Sequence, residues 1–337
     1  MTLLFMDGFD VADFALKYDV PGVTLSSGSG AATRYNYGLD VQAYPAGGVA
    51  VMLPKAIPAS SKVIIGFALS HDSWTSSAEY ELLRLYGDAG VTQHLTVTST
   101  GDGTFKVYRG TAAGTLLGTY SGAIPGTTWS YIEVSATIND TSGNVVVRQD
   151  GVEVINFTGD TKNAGTNTTI DKFVIMASDA TYRYIDDLYV LDGLGSVNNA
   201  FLGDVRIQTL LPSGAGSSTQ WTPSTGSNYD NVNDVPYSSS TYNGDVVSGH
   251  RDTYAMSDVS TGSILAVQET LLALKDSAGA TDCKAALKSG GSLYYGSALS
   301  ITTTLAVYQN VREVDPATSA AWSTADLNAV EFGAEVI

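Results

Sequence analysis

One cysteine, Cys283, stands among the 337 residues, so no disulfide can form within the chain. In the run 282–287 it reads as a small buried apolar residue. Only three histidines are present, His71, His94 and His250, and none neighbours a Gly-x-Ser-x-Gly elbow. Cys/His clusters of the kind that hold zinc are missing. Basic residues are scarce: 17 Lys and Arg face 34 Asp and Glu, a net charge of −17. A nucleic-acid binder needs a basic footprint to release counterions, and none exists here. An anionic membrane would repel the chain, and the acidity reads as solubility. No apolar run approaches the ~18 residues of a membrane span. The opening nine residues lack the basic segment, apolar run and cleavage site of a secretory signal, so the expected site of synthesis and folding is the cytosol. Gly28-Ser29-Gly30 and Gly101-Asp102-Gly103 lack the lysine and further glycines of a phosphate-binding loop and read as turns.

What the chain does have is apolar and turn-forming residues. Hydrophobic residues make up 44% and charged ones 15%, against about 25% in an average globular domain, and 35 glycines punctuate the sequence. Between Trp129 and Gly159, three β-rich runs are separated by Asn139-Asp140-Thr141-Ser142-Gly143 and Asp150-Gly151. Asp-Gly accepts the positive φ angles of a type I′ hairpin turn. Strands are expected over 62–69, 79–86, 94–99, 105–109, 131–139, 145–150, 152–157, 172–177 and 182–191. Short strands without intervening helices predict an all-β protein of sandwich or jelly-roll type. A first domain is expected over 1–192, a linker over 193–203 and a second β-sandwich over 204–337.

In the second part, 204–212 alternates like a strand, and a long polar loop follows from Ser213 to about Gly249. A loop of that length in a compact domain is expected to be functional or pinned by a partner. Further strands are expected over 263–274, 283–288, 292–295, 305–314 and 330–337, with Gly290-Gly291 as a hairpin turn. Ser323-Thr324-Ala325-Asp326 carries a capping pattern for one short helix, so the fold holds at most one or two short helices.

Three places carry a resemblance to concanavalin A-like lectin/glucanase and laminin-G jelly rolls. They are Phe5-Met6-Asp7-Gly8-Phe9-Asp10, the 129–157 strand set, and Ile185-Asp186-Asp187-Leu188-Tyr189-Val190. The chain also resembles tailed-bacteriophage virion proteins. That likeness rests on the run from Gly203 to Pro212, Gln220-Trp221-Thr222-Pro223, Val314-Asp315-Pro316-Ala317-Thr318, Ala321-Trp322, and Ala329-Val330-Glu331-Phe332-Gly333. It implies a non-catalytic structural component on the exterior of a virion assembled in the host cytoplasm: a capsid decoration, spike, or neck or tail appendage. Its implied partners are other virion proteins and further copies of itself. The alternative is a carbohydrate-binding adhesin that contacts host surface polysaccharide.

Glycoside hydrolysis needs two carboxylates across the scissile bond. The nearest pair is Glu79 and Glu81, alternate residues on one strand, and they read as solvent-facing carboxylates at a sheet edge. No enzyme is expected. Calcium, which takes hard oxygen ligands, is the one metal to consider. Asp7 and Asp10 on the first strand and Asp186 and Asp187 on the last would meet if those strands pair. The run Asn228-Tyr229-Asp230-Asn231-Val232-Asn233-Asp234 also spaces oxygens, but lacks the glycine and terminal glutamate of an EF-hand loop. Tyrosine is abundant at 19 residues, and its flat amphipathic ring suits sugar faces and protein interfaces. Trp74, Tyr229, Tyr237 and Tyr242 are therefore the candidate contacts for a ligand or partner.

Overall fold

A computed structural model describes residues 2–10, 14–19, 34, 51–71, 78–100, 103–122, 128–177, 183–235, 237–260, 262–277 and 282–337. The protein is all-β, and its chain divides into two compact units, residues 1–208 and 209–337.

The first unit comprises β1 (Leu3–Asp7), α1 (Phe14–Lys17), β2 (Val51–Ser60), β3 (Lys62–His71), β4 (Glu79–Gly87), β5 (Thr92–Thr100), β6 (Thr104–Arg109), β7 (Thr115–Ser121), β8 (Ser130–Thr137), β9 (Gly143–Gln149), β10 (Val152–Gly159), β11 (Ile170–Ala177) and β12 (Arg183–Leu191). They form two six-stranded sheets, β1-β12-β3-β8-β9-β10 and β2-β11-β4-β5-β6-β7, with antiparallel pairing throughout. Consecutive strands such as β2, β3 and β4 alternate between the sheets, as in a jelly roll.

Side chains on a strand point alternately to its two faces. Ile65, Phe67 and Leu69 of β3 and Ile132 and Val134 of β8 therefore point the same way, toward Leu83 and Leu85 of β4, Val97 of β5, Phe105 of β6 and Phe173 of β11 in one core. Each fully buried residue of this size contributes about 1.5–3 kcal/mol. Asp150 (φ 51°) and Gly151 (φ 77°) make the turn between β9 and β10 with positive φ at both positions, as their sequence required. Edge strand β2 contains Pro54 and Pro58. Proline donates no N–H to a ladder, and an edge position is where a sheet tolerates that.

Residues 193–203, expected as a linker, belong to the first unit. The buried Glu133 of β8 accepts hydrogen bonds from the Tyr189 hydroxyl and from Gly203 N at 2.8 Å, and Leu202 N donates to the Tyr189 hydroxyl at 3.1 Å. The Arg148 guanidinium lies 4.2 Å from the centre of the Phe201 ring. Burial and the Glu133 carboxylate push the Tyr189 phenol above its ordinary pKa, which keeps it a neutral donor. Residues 204–211, expected as a strand, form none. Ile207 N and Leu211 N donate to side chains instead, to Asp187 Oδ1 at 2.6 Å and to Ser257 Oγ at 3.2 Å.

The second unit comprises β13 (Pro212–Thr219), β14 (Thr222–Pro223), a 3-10 turn (Asn228–Asn231), β15 (Asn243–Gly244), β16 (Arg251–Met256), β17 (Val267–Ala273), β18 (Cys283–Ser289), β19 (Ser292–Leu299), β20 (Ala306–Arg312), α2 (Thr324–Leu327) and β21 (Glu331–Val336). One five-stranded sheet runs β13-β16-β21-β18-β19, and β14–β15 and β17–β20 are two-stranded ribbons. Leu287, Trp322, Leu327 and Val330 form its core. Ser323 caps α2 by accepting from Asp326 N, as the capping pattern predicts. Gly290 and Gly291 turn β18 into β19, both with positive φ.

The long polar stretch is ordered from within the chain. Its first part is edge strand β13, and the rest folds on the buried Asp252. Asp252 accepts from Trp221 N at 2.9 Å, from the Tyr254 hydroxyl at 3.1 Å and from the Asn228 amide. Asn243 donates to Asn228 O at 2.8 Å and to the Tyr254 hydroxyl at 2.9 Å.

Glu331 ties β21 to three other strands of this sheet. It accepts from Ser217 N (2.7 Å), Ser217 Oγ (2.8 Å), Thr253 Oγ1 (2.7 Å) and Lys288 Nζ (2.9 Å). Burial acts to raise its pKa, but these donors outweigh it and hold the carboxyl at about 2 against the usual 4.5. The folded state thus prefers the ionised form, so the stabilisation is complete above pH 4.5 and lost as pH falls through about 2. Glu331→Gln is expected to melt below wild type at neutral pH and to converge with it toward pH 2, as followed by thermal unfolding across that range.

Candidate functional site

Among the described residues, the outward face of the second sheet of the first unit carries a group of accessible polar and aromatic side chains. In β4, Leu83 and Leu85 point into the core, which sends Arg84 and Tyr86 outward. The register shifts between Glu81 and Leu83, so Leu82 is also buried while Glu79 and Glu81 stay on the outward face. Leu95 and Val97 of β5 point inward and Thr96 and Thr98 outward; Phe105 and Val107 of β6 point inward and Lys106 and Tyr108 outward. Pairing then sets Glu81, Thr98 and Lys106 in one row and Arg84, Thr96 and Tyr108 in the next.

Glu79 accepts from Lys106 Nζ at 2.6 Å and from Thr98 Oγ1 at 2.6 Å, and Tyr108 stands on the same face of β6 as Lys106. Arg84 Nε donates to Glu81 Oε2 at 2.6 Å, with a second bond from its terminal nitrogen. Tyr86 donates to Gln93 Oε1 at 3.0 Å, and Gln93 donates to Thr96 Oγ1 at 2.6 Å. Burial acts to raise the Glu79 pKa, but its polar neighbours, Lys106 and Thr98 foremost, prevail and hold it below the ordinary carboxylate range. Burial and Glu79 push the Tyr108 phenol up, and the bond to Glu79 raises the Lys106 ammonium. Glu79, Lys106 and Tyr108 therefore stand at neutral pH as carboxylate, ammonium and neutral phenol. The Glu79 and Lys106 side chains are 26% and 28% exposed, so a ligand can reach both.

The sequence suggests the Glu79/Glu81 pair but places it at a sheet edge. β4 is an interior strand, between β11 and β5. Lys106, Tyr108 and Arg84 were missed as site residues, although the alternation Phe105-Lys106-Val107-Tyr108 marks two of them as outward-facing.

The other candidates fall elsewhere. Trp74 lies outside the described residues. Of the loop tyrosines, Tyr242 alone is exposed, while Tyr229 and Tyr237 are half-buried. The folding of their segment onto Asp252 partly covers them. The first and last strands of the unit do pair, with Asp7 opposite Leu188. Asp7, Asp10, Asp186 and Asp187 are all buried. Asp7 accepts from Phe9 N (2.9 Å), Lys17 Nζ (2.7 Å) and the Tyr18 hydroxyl (3.1 Å). Asp187, in a left-handed conformation (φ 50°), binds Arg34 as well as Ile207 N. Burial pushes its carboxyl up to about 6. Asp186 Oδ1 accepts from Asp187 N at 2.8 Å. The chain's own cations and N–H groups thus occupy oxygens that a calcium ion would need. Among the described residues, no group of three or more His, Cys, Asp or Glu is placed to hold a metal ion.

No protein-family model matches the sequence, and no curated protein matches it. Several solved structures are similar. Alginate lyase Aly36B is 11% identical, with 50% of this chain and 83% of that one covered and a TM-score of 0.32. The carbohydrate binding module CBM66 from Bacillus subtilis is 8% identical over 42% of this chain and 81% of its own, with a TM-score of 0.32. The cellulose induced protein Cip1 is 10% identical over 60% of this chain and 100% of its own, with a TM-score of 0.39. The comparisons give no support to the resemblance to virion proteins.

Half-exposed ion pairs on a sheet face add little to stability, because solvent screens them. Glu79→Gln, Lys106→Met and the double variant are each expected to change the unfolding free energy by less than about 1 kcal/mol, measured by urea denaturation in a double-mutant cycle.

Proposed function

We propose that the first unit binds carbohydrate, without cleaving it, on the outward face of its second sheet. The observation that carries this reading is the cluster of Glu79, Lys106 and Tyr108 over the buried Thr98, beside Glu81 and Arg84. Such a cluster offers what a sugar needs. Carboxylates accept from its hydroxyls, ammonium and guanidinium groups donate to them, and a tyrosine ring packs against its C–H face. All six residues stand on paired strands, so little ordering remains to be done on binding.

The charge balance favours a neutral ligand. Two carboxylates, Glu79 and Glu81, are matched by two cations, Arg84 and Lys106, and the whole chain carries −17. A polyanion would be repelled at long range. Hydrolysis by a carboxylate pair would need one of them protonated near neutrality. Glu79 is held ionised and Glu81 is tied to Arg84, which supports binding over catalysis. On the resemblance to virion proteins, the same face would attach a particle to host surface polysaccharide, and detection of the protein in purified particles tests that role.

The full chain is expected to be retained on at least one of a panel of neutral polysaccharides (cellulose, chitin and β-glucans) with no release of reducing ends. Tyr108→Ala and Lys106→Ala should each weaken retention at least about ten-fold, roughly 1.4 kcal/mol, with circular dichroism unchanged. Failure of the wild type to bind any member, or undiminished binding by both variants, would overturn the reading.

A further inference from the structure

We infer that Lys17 and Asp7 condense into an amide that cross-links the short helix to the first strand of the first unit. Lys17 Nζ lies 2.7 Å from Asp7 Oδ1, and the two side chains are 10% and 4% exposed. The other carboxyl oxygen, Oδ2, accepts from the Tyr18 hydroxyl at 3.1 Å, and Phe9 N donates to Oδ1 at 2.9 Å. Aromatic rings wall the pair. Tyr18 meets Phe5 edge-on at 5.8 Å and stacks on Phe9 at 6.3 Å. A second ammonium, Lys55 Nζ, donates to Lys17 O at 2.6 Å and sits 5.0 Å from the centre of the Phe5 ring.

Each condition for condensation has a source in this geometry. Nucleophile and carboxyl are held in contact, which replaces a bimolecular encounter with an intramolecular one. Two charges in an apolar setting carry a desolvation penalty, and an amide in their place carries a much smaller one. The reacting form is the neutral pair, an amine beside a carboxylic acid, reached by passing one proton from Nζ to Oδ1 along their 2.7 Å contact. Rotation about the last Lys17 bonds carries Nζ from Oδ1 onto Cγ, where the Nζ–Cγ bond forms. The Tyr18 hydroxyl donates to the oxyanion that develops on Oδ2. Burial and Asp7 keep that phenol protonated, so it remains a donor throughout. The Cγ–Oδ1 bond then breaks, and Oδ1 leaves as water with the proton it received and one from Nζ. Ammonium and carboxylate in, amide and one water out: atoms and charge balance, and no oxidant or co-reactant takes part.

The test is the intact mass of the full chain, purified and then denatured. The wild type is expected to weigh one water less than its sequence specifies, and digestion should yield a branched peptide joining the segments that contain Asp7 and Lys17. Lys17→Arg and Asp7→Ala, prepared in parallel, should weigh what their sequences specify. Tyr18→Phe should show a mixture of the two masses that moves toward the lighter one more slowly than wild type. A wild-type mass equal to the sequence mass after prolonged incubation of the folded protein would overturn the inference, whatever the outcome of the carbohydrate experiment.

Discussion

The contact between the apolar faces of two six-stranded sheets governs the first unit. Once Phe67 and Ile132 on one side and Leu83, Val97, Phe105 and Phe173 on the other are committed to a shared interior, every second residue of each strand must face the opposite way. Glu79, Arg84, Thr98, Lys106 and Tyr108 share a surface for that reason alone. Their mutual distances follow from strand register, which the same interior holds fixed. A slip of one residue in β6 would bury Lys106 and Tyr108 and expose Phe105 and Val107.

Buried carboxylates fix the parts of the chain that have no ladder of their own. Glu133 gathers Tyr189 and the backbone of residue 203, Asp187 gathers Arg34 and the backbone of residue 207, and Asp252 gathers the polar stretch of the second unit. Irregular backbone leaves N–H groups that must find acceptors when covered. An acidic residue on a neighbouring strand meets that need with a short, strong bond. Part of the chain's acidity thus serves its architecture as well as its solubility.

The interior strands other than β16, and their hairpins, were legible in the sequence. Asp150-Gly151 and Gly290-Gly291 adopt the positive φ angles that their residue types favour. Of the strands that escaped notice, β2, β7 and β13 lie at a sheet margin, β14 and β15 form a two-residue ribbon, and β16 lies inside its sheet between β13 and β21. β2 contains two prolines, β7 holds Gly118, and β13 reads Pro-Ser-Gly-Ala-Gly-Ser-Ser-Thr. A marginal strand pairs on one side only, so its sequence is less constrained and carries a weaker pattern. Residues 204–211 show the reverse: they alternate like a strand, yet Ile207 N donates to the Asp187 carboxylate and Leu211 N to the Ser257 hydroxyl. At the site, the shared face of Glu79 and Glu81 follows from local alternation. Their partnership with Lys106 and Arg84, and the interior place of β4, depend on β5 and on β11 arriving from far along the chain. The pairing of the first and last strands was likewise legible. The cations that meet their aspartates, Lys17 and Arg34, come from segments with no strand pattern to announce them.

Pro54 and Pro58 carry a consequence for many copies of this chain held close together. On β2 they carry no N–H, and Asp19 already occupies part of that margin: its N donates to Pro54 O at 2.8 Å and its Oδ2 accepts from Ala56 N at 2.8 Å. A strand from a neighbouring molecule that approached there would find gaps where it needs a continuous row of donors. That margin is a poor template for end-to-end growth, which disfavours β2 as a seam between crowded copies.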